Sequence, residues 1–454
     1  MEGERPAGFV SYREIGNDEL FGVLKDMELA NLVRGKSSRE ILLITGIYAR
    51  EENAGDSEVI RDAPQQLLVE VLAKELEKNY SFALFVAERG TTTKEVVYAL
   101  ERQGFIRPQL ADESDKRTVY MVDMHEPLMF LHNLDTTIKE PFASNPAVLD
   151  AIEKNHRKLQ MAMTKLYPGN LVISLSSGVM HHRLVDRITA LNDVPREPLV
   201  PRRLGKNMCV PFGKILRGKV VPNTVTKTLH TDKVYEPDLN SFTIEPFPYY
   251  SPLKSQIETI KSFDRPVILV DDMLHDGKRI RRLAPLLEET HTPVDQVLVG
   301  YLTGVGRDLM EQLGYPVDGI YYLPNLRMRF VESTLYPFIG GDTVRRTERL
   351  PGGLQPSVNR ILPYAAPEFS PMDGRTAWEL SLCCLENARD ILLALETEFR
   401  SLYARNLTLN RLGEAVVLPL CPDKGGCITY DVSRAASACL EGDIELLKRM
   451  RPAD

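Results

Sequence analysis

Apolar and polar residues alternate along the first part of the chain with periods that predict strands and helices in turn. Ile41–Tyr48 and Phe82–Ala87 are short apolar runs, which are typical of strands in a covered sheet. Between them, Gln65–Leu76 repeats its apolar residues near every 3.6 positions, which predicts an amphipathic helix. The next helix and strand are predicted at Thr93–Arg102 and Thr118–Met124. This order predicts a small α/β domain over residues 1–140.

A second series of strands and helices occupies residues 141–350. Its most apolar strand is Val267–Val270, a continuous aliphatic run that suits a parallel sheet covered on both faces. The other predicted strands are Leu171–Leu175, Val294–Leu302 and Gly319–Leu323, and the predicted helices are Val179–Leu191, Ile280–Glu289 and Gly306–Leu313. Alternating strands and helices at this spacing predict a parallel sheet, whose ligands bind outside the carboxyl ends of its strands.

The last hundred residues, 351–454, follow a different pattern. Pro351–Pro371 is rich in proline and glycine and is typical of a linker or surface segment. Thr376–Arg405 has the apolar spacing of a long helix, and a short helix is predicted at Ile444–Met450. We expect this region to be a helical extension without chemistry of its own.

Composition narrows the classes of protein. The chain has 454 residues, 43% of them hydrophobic, and a net charge of −7, so no general affinity for nucleic acid or anionic membranes is expected. No apolar run approaches the ~20 residues of a membrane span. Six cysteines in a chain of this length predict no disulfide framework, and their spacing does not favour zinc. We therefore expect a cytoplasmic protein.

Two adjacent acids, Asp271 and Asp272, end the strand Val267–Val270, and a turn containing Gly277 leads into the next helix. Carboxylates in this position can accept hydrogen bonds from ribose hydroxyls or take Mg²⁺. Backbone N–H groups at a helix N-terminus can hold a phosphate. The alternative is that the two acids only terminate a strand. The candidate phosphate-binding residues of this turn are His275, Asp276, Gly277, Lys278 and Arg279.

This stretch resembles the signature of type I phosphoribosyltransferases, in which two acids follow a hydrophobic strand and precede a phosphate loop. The family usually has hydroxyl residues where this chain has His275 and Arg279. The resemblance implies a parallel-sheet domain over residues 141–350 that binds phosphoribosyl diphosphate with Mg²⁺. Asp271 and Asp272 would then be the catalytic acids and the metal ligands, and a homodimer would be the expected assembly.

Two further segments are candidates for the diphosphate. Ser176, Ser177 and Gly178 join a predicted strand to a helix, where this family keeps its diphosphate loop, although a plain connection explains them as well. Residues 202–233 carry eight Lys and Arg residues against one acid, which indicates an anionic partner or a solvated surface. We expect this basic segment to form an extended hairpin or lid, with Lys227 and His230 as the diphosphate contacts.

The first domain resembles the second half of the GNAT acetyltransferase fold. Gly104 and Phe105 at the end of a helix, and Tyr120 and Met121 on a late strand, carry the likeness. The family's pyrophosphate loop would fall on Arg61–Gln66, which has no glycine and includes a proline without an N–H donor. This resemblance implies a degenerate GNAT-like domain.

The predicted function is binding of phosphoribosyl diphosphate or a related nucleotide, with transfer of the phosphoribosyl group to a base. Two alternatives stay open: a non-catalytic nucleotide-sensing regulator on the same fold, and N-acetyl transfer by the first domain. The combination of domains is also similar to parts of uncharacterised bacterial cytidylyltransferase-related proteins. The chain contains no His-x-Gly-His motif, so that activity is not carried over.

Overall fold

The structure, a computed structural model, describes residues 8–49, 63–109, 117–201, 203–347, 350–367, 373–423 and 430–452. Its helices are α1 (Leu20–Leu24), α2 (Met27–Lys36), α3 (Ala63–Glu75), α4 (Lys94–Arg102), α5 (Pro146–Leu166), α6 (Ser177–Leu191), α7 (Leu253–Lys261), α8 (Lys278–Glu289), α9 (Gly304–Leu313), α10 (Gly374–Tyr403) and α11 (Ala436–Arg449). Its strands are β1 (Gly8–Ile15), β2 (Ile41–Ala49), β3 (Phe82–Glu88), β4 (Arg117–His132), β5 (Asn170–Ser176), β6 (Met208–Pro211), β7 (Val225–Thr226), β8 (Thr231–Tyr235), β9 (Phe242–Pro246), β10 (Val267–Leu274), β11 (Val294–Thr303), β12 (Val317–Leu323), β13 (Met328–Val331), β14 (Asp342–Val344), β15 (Gln355–Val358) and β16 (Leu420–Pro422).

The chain forms two compact units, each assembled from separate segments. The first contains Met1–Phe130, Gln160–Leu175 and Tyr321–Phe330, and the second contains Leu131–Leu159, Ser176–Ile320 and Val331–Asp454. These units are not the consecutive ranges 1–140, 141–350 and 351–454 predicted from the sequence. The predicted ranges follow the order of strands and helices along the chain, whereas the observed units follow from which segments contact each other.

The first unit is built on a six-stranded mixed sheet in the order β1-β2-β3-β4-β13, with β5 also paired to β4. Strands β2 and β3 are parallel, whereas β3 and β4 are antiparallel. The strand predicted at Thr118–Met124 continues to His132. Pro127 lacks an N–H donor, but its carbonyl oxygen accepts the N–H of Arg327 at 3.1 Å, so the strand does not end at the proline.

The second unit contains a five-stranded sheet in the order β12-β11-β10-β6-β7. Strands β11, β10, β6 and β7 are parallel, and β10 is buried along its whole length. The helices predicted after the acids and between the later strands are present as α8 and α9. The predicted α/β class, with parallel strands, is therefore confirmed.

A further five-stranded sheet, β16-β15-β14-β8-β9, was not predicted. Two expectations are wrong here. The segment 202–233 is not a hairpin, because β6 and β7 pair in parallel and β8 joins the other sheet. The segment predicted as a linker contributes β15, which pairs with β14 and β16. The C-terminal helix also begins at Ala436, earlier than predicted, and contains Gly442.

Among the described residues, no helix is both long and apolar enough to cross a membrane. No disulfide joins the described cysteines, which are Cys209, Cys383, Cys384, Cys421 and Cys439, and Cys427 lies outside the described residues.

Candidate functional site

Asp271 and Asp272 lie in β10 at the point where the neighbouring strand β6 ends. The register pairs β6 with Val267–Val270, whereas β10 continues through both acids to Leu274, so the expectation that the acids end the strand is wrong. Each acid is about 5% exposed. Burying two carboxylates is costly unless each is hydrogen-bonded or paired with a cation, so their partners define the site.

The loop that follows β6 supplies the partners of Asp272. The backbone N–H of Lys214 donates to Asp272 Oδ2 at 2.7 Å, and that of Ile215 donates to Oδ1 at 2.9 Å. Gly213 makes this approach possible. A Cβ at position 213 would lie 2.5 Å from Asp272 Oδ1 and 2.7 Å from Asp271 Oδ1. The loop therefore lies directly against both carboxylates and requires glycine at this position.

Asp271 is held from the other side by the start of α8. Arg279 Nη1 donates to Asp271 Oδ1 at 3.1 Å, and the same oxygen accepts the N–H of Asp272 at 2.8 Å. The Asp271 side chain is 6% exposed and that of Arg279 is 27% exposed. This half-buried ion pair is stronger than a surface pair, because solvent screens it less.

The turn between β10 and α8 has a fixed shape. Gly277 has φ +62°, and a Cβ there would lie 2.0 Å from Leu309 Cδ2. Gly277 is the N-cap residue of α8, and it has no side chain to accept a hydrogen bond from the first N–H groups of the helix. The His275 Nδ1 lies 3.0 Å from Thr303 Oγ1, which itself accepts the N–H of Gly306 at the start of α9. The N-terminus of α8 is thus positioned beside the two acids.

Further charged groups surround this edge of the sheet. Lys214 Nζ lies 3.2 Å from Ser333 Oγ, and Arg217 Nη2 donates to the carbonyl oxygen of Thr231 at 3.3 Å. Arg217 also lies 4.8 Å from the centre of the Phe247 ring. Asp232 accepts a 2.7 Å hydrogen bond from Thr343 Oγ1, and burial raises the pKa of its carboxyl group. We call Asp271, Asp272, Lys214, Arg217 and Arg279 the charged cluster.

The amine of Lys214 titrates below the usual range of a lysine. Burial, together with the charge of Arg217, lowers its pKa from 10.5 to about 8. An anion bound beside this amine would favour its charged form. In the absence of ligand, the unfolded chain keeps this proton up to pH 10.5, so Lys214 contributes increasing stability as the pH rises from about 8 to that value.

Anion binding at the charged cluster should weaken as the pH rises through the pKa of Lys214. We expect the affinity for phosphoribosyl diphosphate to fall about 10-fold between about pH 6.5 and about pH 9.5, because one charge-assisted hydrogen bond is lost. Titration calorimetry at several pH values measures this. In Lys214→Met the affinity should be low at every pH and should not fall further between about pH 6.5 and about pH 9.5. The same pH-dependent fall in that variant would show that Lys214 does not cause it.

The predicted role of Asp271 and Asp272 as ligands of Mg²⁺ stays a prediction. Both oxygens of the Asp272 carboxylate accept backbone N–H bonds, and Asp271 Oδ1 accepts two. Mg²⁺ takes oxygen ligands at about 2.1 Å, and a carboxylate has about four acceptor positions, so these hydrogen bonds leave positions for such an ion. The two acids hold the loop after β6 and the guanidinium of Arg279 in place.

Several predicted residues lie apart from this arrangement. Ser176 ends β5, which belongs to the six-stranded sheet, so the expectation that Leu171–Leu175 lies in the same parallel sheet as Val267–Val270 is wrong. The Ser176 hydroxyl caps α6 and that of Ser177 donates to Asp135. A strand's own apolar sequence does not determine which strand it pairs with, and this is why the expectation failed.

The remaining predicted residues have other described contacts. Lys227 is exposed, and its backbone N–H donates to the carbonyl oxygen of Cys209. The His230 ring stacks on Tyr250 at 3.7 Å, and burial lowers the pKa of His230 to about 4. Lys278 is exposed, with Nζ 4.1 Å from the centre of the Phe242 ring. In the GNAT-like segment, Arg61 and Asp62 lie outside the described residues.

Sequence reasoning missed Gly213, Lys214 and Arg217. Their signal was present as a glycine and two basic residues directly after a short apolar strand, Met208–Pro211. The strand is only four residues long, so its pairing with β10 was not recognised. Without that pairing, nothing in the sequence connects the loop to Asp272.

Comparison of the chain with known proteins identifies no family. No protein-family model matches the chain, and no curated protein matches it.

Proposed function

We propose that this chain binds phosphoribosyl diphosphate or a related nucleotide at the charged cluster and transfers the phosphoribosyl group to a base. The observation that supports this is the contact of two buried acids with the backbone N–H of Lys214 and the guanidinium of Arg279 where the parallel strand β6 ends, with Arg217 near enough for the charge of Asp272 to act on it. Ligands in sheets of this kind bind outside the carboxyl ends of the strands. The three cations of the cluster exceed its two carboxylates by one charge, which favours an anionic ligand.

In the proposed reaction the bond from ribose C1 to the diphosphate oxygen breaks, and a bond from C1 to a base nitrogen forms. The electron pair of the broken bond leaves with diphosphate, and the base nitrogen loses its proton to solvent. Positive charge develops on the ribose, as in glycoside cleavage. Arg217, Arg279 and Lys214 would neutralise the leaving diphosphate, and the carboxylate of Asp271 would stabilise the ribose cation.

A second function, nucleotide sensing without turnover, is favoured by one observation. Asp271 and Asp272 already accept hydrogen bonds from Arg279 and from the loop after β6, so the acids serve to maintain the shape of the site. A ligand that displaced Arg279 from Asp271 would change the position of α8. Such a change would transmit the occupancy of the site without chemistry.

An assay for diphosphate release distinguishes the two functions. The protein is incubated with phosphoribosyl diphosphate and each of a panel of nucleobases, and released diphosphate is quantified. Release with one base, lost in Arg279→Gln and kept in Arg281→Gln on the exposed side of the same helix, supports transfer. Saturable binding without release supports sensing. No binding to the wild type contradicts both.

A further inference from the structure

Two histidines and a glutamate, none of them part of the charged cluster, meet in the interior of the second unit. His132 ends β4, His156 lies in the middle of α5, and Glu332 follows β13. Their exposed fractions are 7%, 3% and 0%. One potential ligand atom from each residue lies within 4.8 Å of the other two.

The distances between these atoms are longer than hydrogen bonds. Glu332 Oε2 lies 3.5 Å from His132 Nε2 and 3.3 Å from His156 Nδ1. N–H···O bonds usually measure about 2.7–3.2 Å. Two ligand atoms of a tetrahedral zinc ion, each about 2.1 Å from the metal, are about 3.4 Å apart. The carboxylate oxygen thus lies at the separation expected between ligands of one ion.

Polar atoms in the cluster lack hydrogen bonds. His132 Nε2 is buried and makes no hydrogen bond within the described part of the chain. The nearby Asp135 Oδ1 is also buried and makes no hydrogen bond within the described part of the chain. A buried polar atom without a partner is costly, and a metal ion is one of the groups that satisfy it.

The charges around the two imidazoles are mostly negative. Besides Glu332, the carboxylates of Glu153 and Asp135 act electrostatically on His132. Glu153 is paired with Arg157 at 3.0 Å, and Asp135 accepts a hydrogen bond from Ser177. A dication between the two imidazoles and Glu332 would neutralise this excess of negative charge.

The backbone around the cluster is held by hydrogen bonds. Asn133 Oδ1, one residue after His132, accepts the N–H of Ser333, one residue after Glu332, at 3.1 Å. Asn387 Nδ2 donates to the carbonyl oxygen of Asn155, beside His156, and to Tyr336 Oη. These bonds fix the three elements that carry the candidate ligands, as a metal site requires.

We propose that His132, His156 and Glu332 bind one transition-metal ion of the zinc class, with water as a fourth ligand. Two imidazole nitrogens and one carboxylate favour such an ion over Mg²⁺, which prefers oxygen ligands. The two rings are nearly parallel, at 8°, with centres 3.8 Å apart, so no point within metal-binding distance of both rings lies in both ring planes. Binding therefore turns at least one imidazole about its Cβ–Cγ bond, which opens the stack.

The test uses full-length protein without a histidine tag, stripped with a chelator and titrated with zinc against a metal indicator. The wild type should bind one equivalent. Glu332→Gln and His132→Gln should each weaken binding about 100-fold or more, since each removes a ligand. His182→Gln, which alters a histidine on α6, should leave the affinity unchanged. Less than one equivalent in the wild type, or unchanged affinity in both ligand variants, overturns the proposal.

A second measurement tests the metal site even if the variants do not fold. X-ray absorption spectroscopy of the zinc-loaded wild type reports the ligand atoms directly. Two imidazole ligands with one or two oxygen atoms support the proposal. A shell without imidazole, or with sulfur, overturns it. Neither measurement depends on phosphoribosyl diphosphate, so its result is independent of the function proposed above.

Discussion

Gly213→Ala should destabilise the second unit by about 2–3 kcal/mol and weaken binding of phosphoribosyl diphosphate about 10-fold or more. The added Cβ would lie 2.5 Å from Asp272 Oδ1 and 2.7 Å from the N–H nitrogen of the same residue. Backbone and buried carboxylate would both have to move, because neither is the end of a flexible side chain. The loop would withdraw and take Lys214 and Arg217 with it.

Urea unfolding and titration calorimetry measure the two effects. Gly178→Ala is the matched control. Its added Cβ would have Ser176 Oγ as its nearest atom, at 3.9 Å, and the position lies in the first turn of α6. Alanine favours a helix over glycine by about 1 kcal/mol, so the control should be unchanged or slightly more stable. Equal stability and affinity in Gly213→Ala and the control would show that the loop does not press against the acids.

Asp272→Asn should cost about 2–3 kcal/mol of stability, the second large effect. Both carboxylate oxygens accept backbone N–H bonds, at 2.7 and 2.9 Å. In asparagine one of these oxygens becomes an NH₂ group, which would face an N–H donor and leave it unsatisfied. The other bond would lose its assistance from charge. Affinity for the ligand should fall with the order of the loop.

Asp308→Asn, an exposed position on α9, is the control for this substitution. Exposed charges of this kind contribute little to stability, so the control should unfold at the wild-type urea concentration. Hydrogen exchange of the Lys214 and Ile215 amides gives the more local result. Fast exchange is expected in Asp272→Asn alone, and protection equal to the wild type would contradict the role assigned to this carboxylate.

The strand β10 and the turn that follows it could be predicted because their signals are local. Val267–Val270 is a continuous apolar run, and the glycine after it marks the turn at which α8 begins. The requirement for Gly277 follows from its positive φ and from the contact with Leu309. Because glycine is the residue that most readily adopts a positive φ, a glycine in a predicted turn is itself a sequence signal for that conformation. The contact with Leu309 depends on tertiary structure and has no sequence signal.

The partners of the acids could not be predicted, because they come from distant parts of the chain. Lys214 and Asp272 are 58 residues apart, and their contact depends on the pairing of β6 with β10. The same reason explains the error at Leu171–Leu175, whose strand pairs with β4 in another sheet. Sequence periodicity identifies a strand but does not specify its neighbour.

The His132, His156 and Glu332 cluster had no recognisable sequence signal. Its residues are 24 and 176 positions apart, since they lie at 132, 156 and 332, and each belongs to a different element. Metal sites that are recognisable from sequence have closely spaced ligands, as in His-x-x-x-His patterns. A cluster assembled by tertiary contacts appears only in the folded chain.

Titration calorimetry of phosphoribosyl diphosphate into the wild type, Arg279→Gln and Arg281→Gln tests the central claim most directly. We expect micromolar binding to the wild type and to Arg281→Gln, and a loss of about 10-fold or more in Arg279→Gln. Arg279 contacts Asp271, whereas Arg281 is an exposed residue of the same helix. Equal affinities in all three proteins, or no binding to the wild type, would contradict the claim that the charged cluster is a phosphoribosyl site.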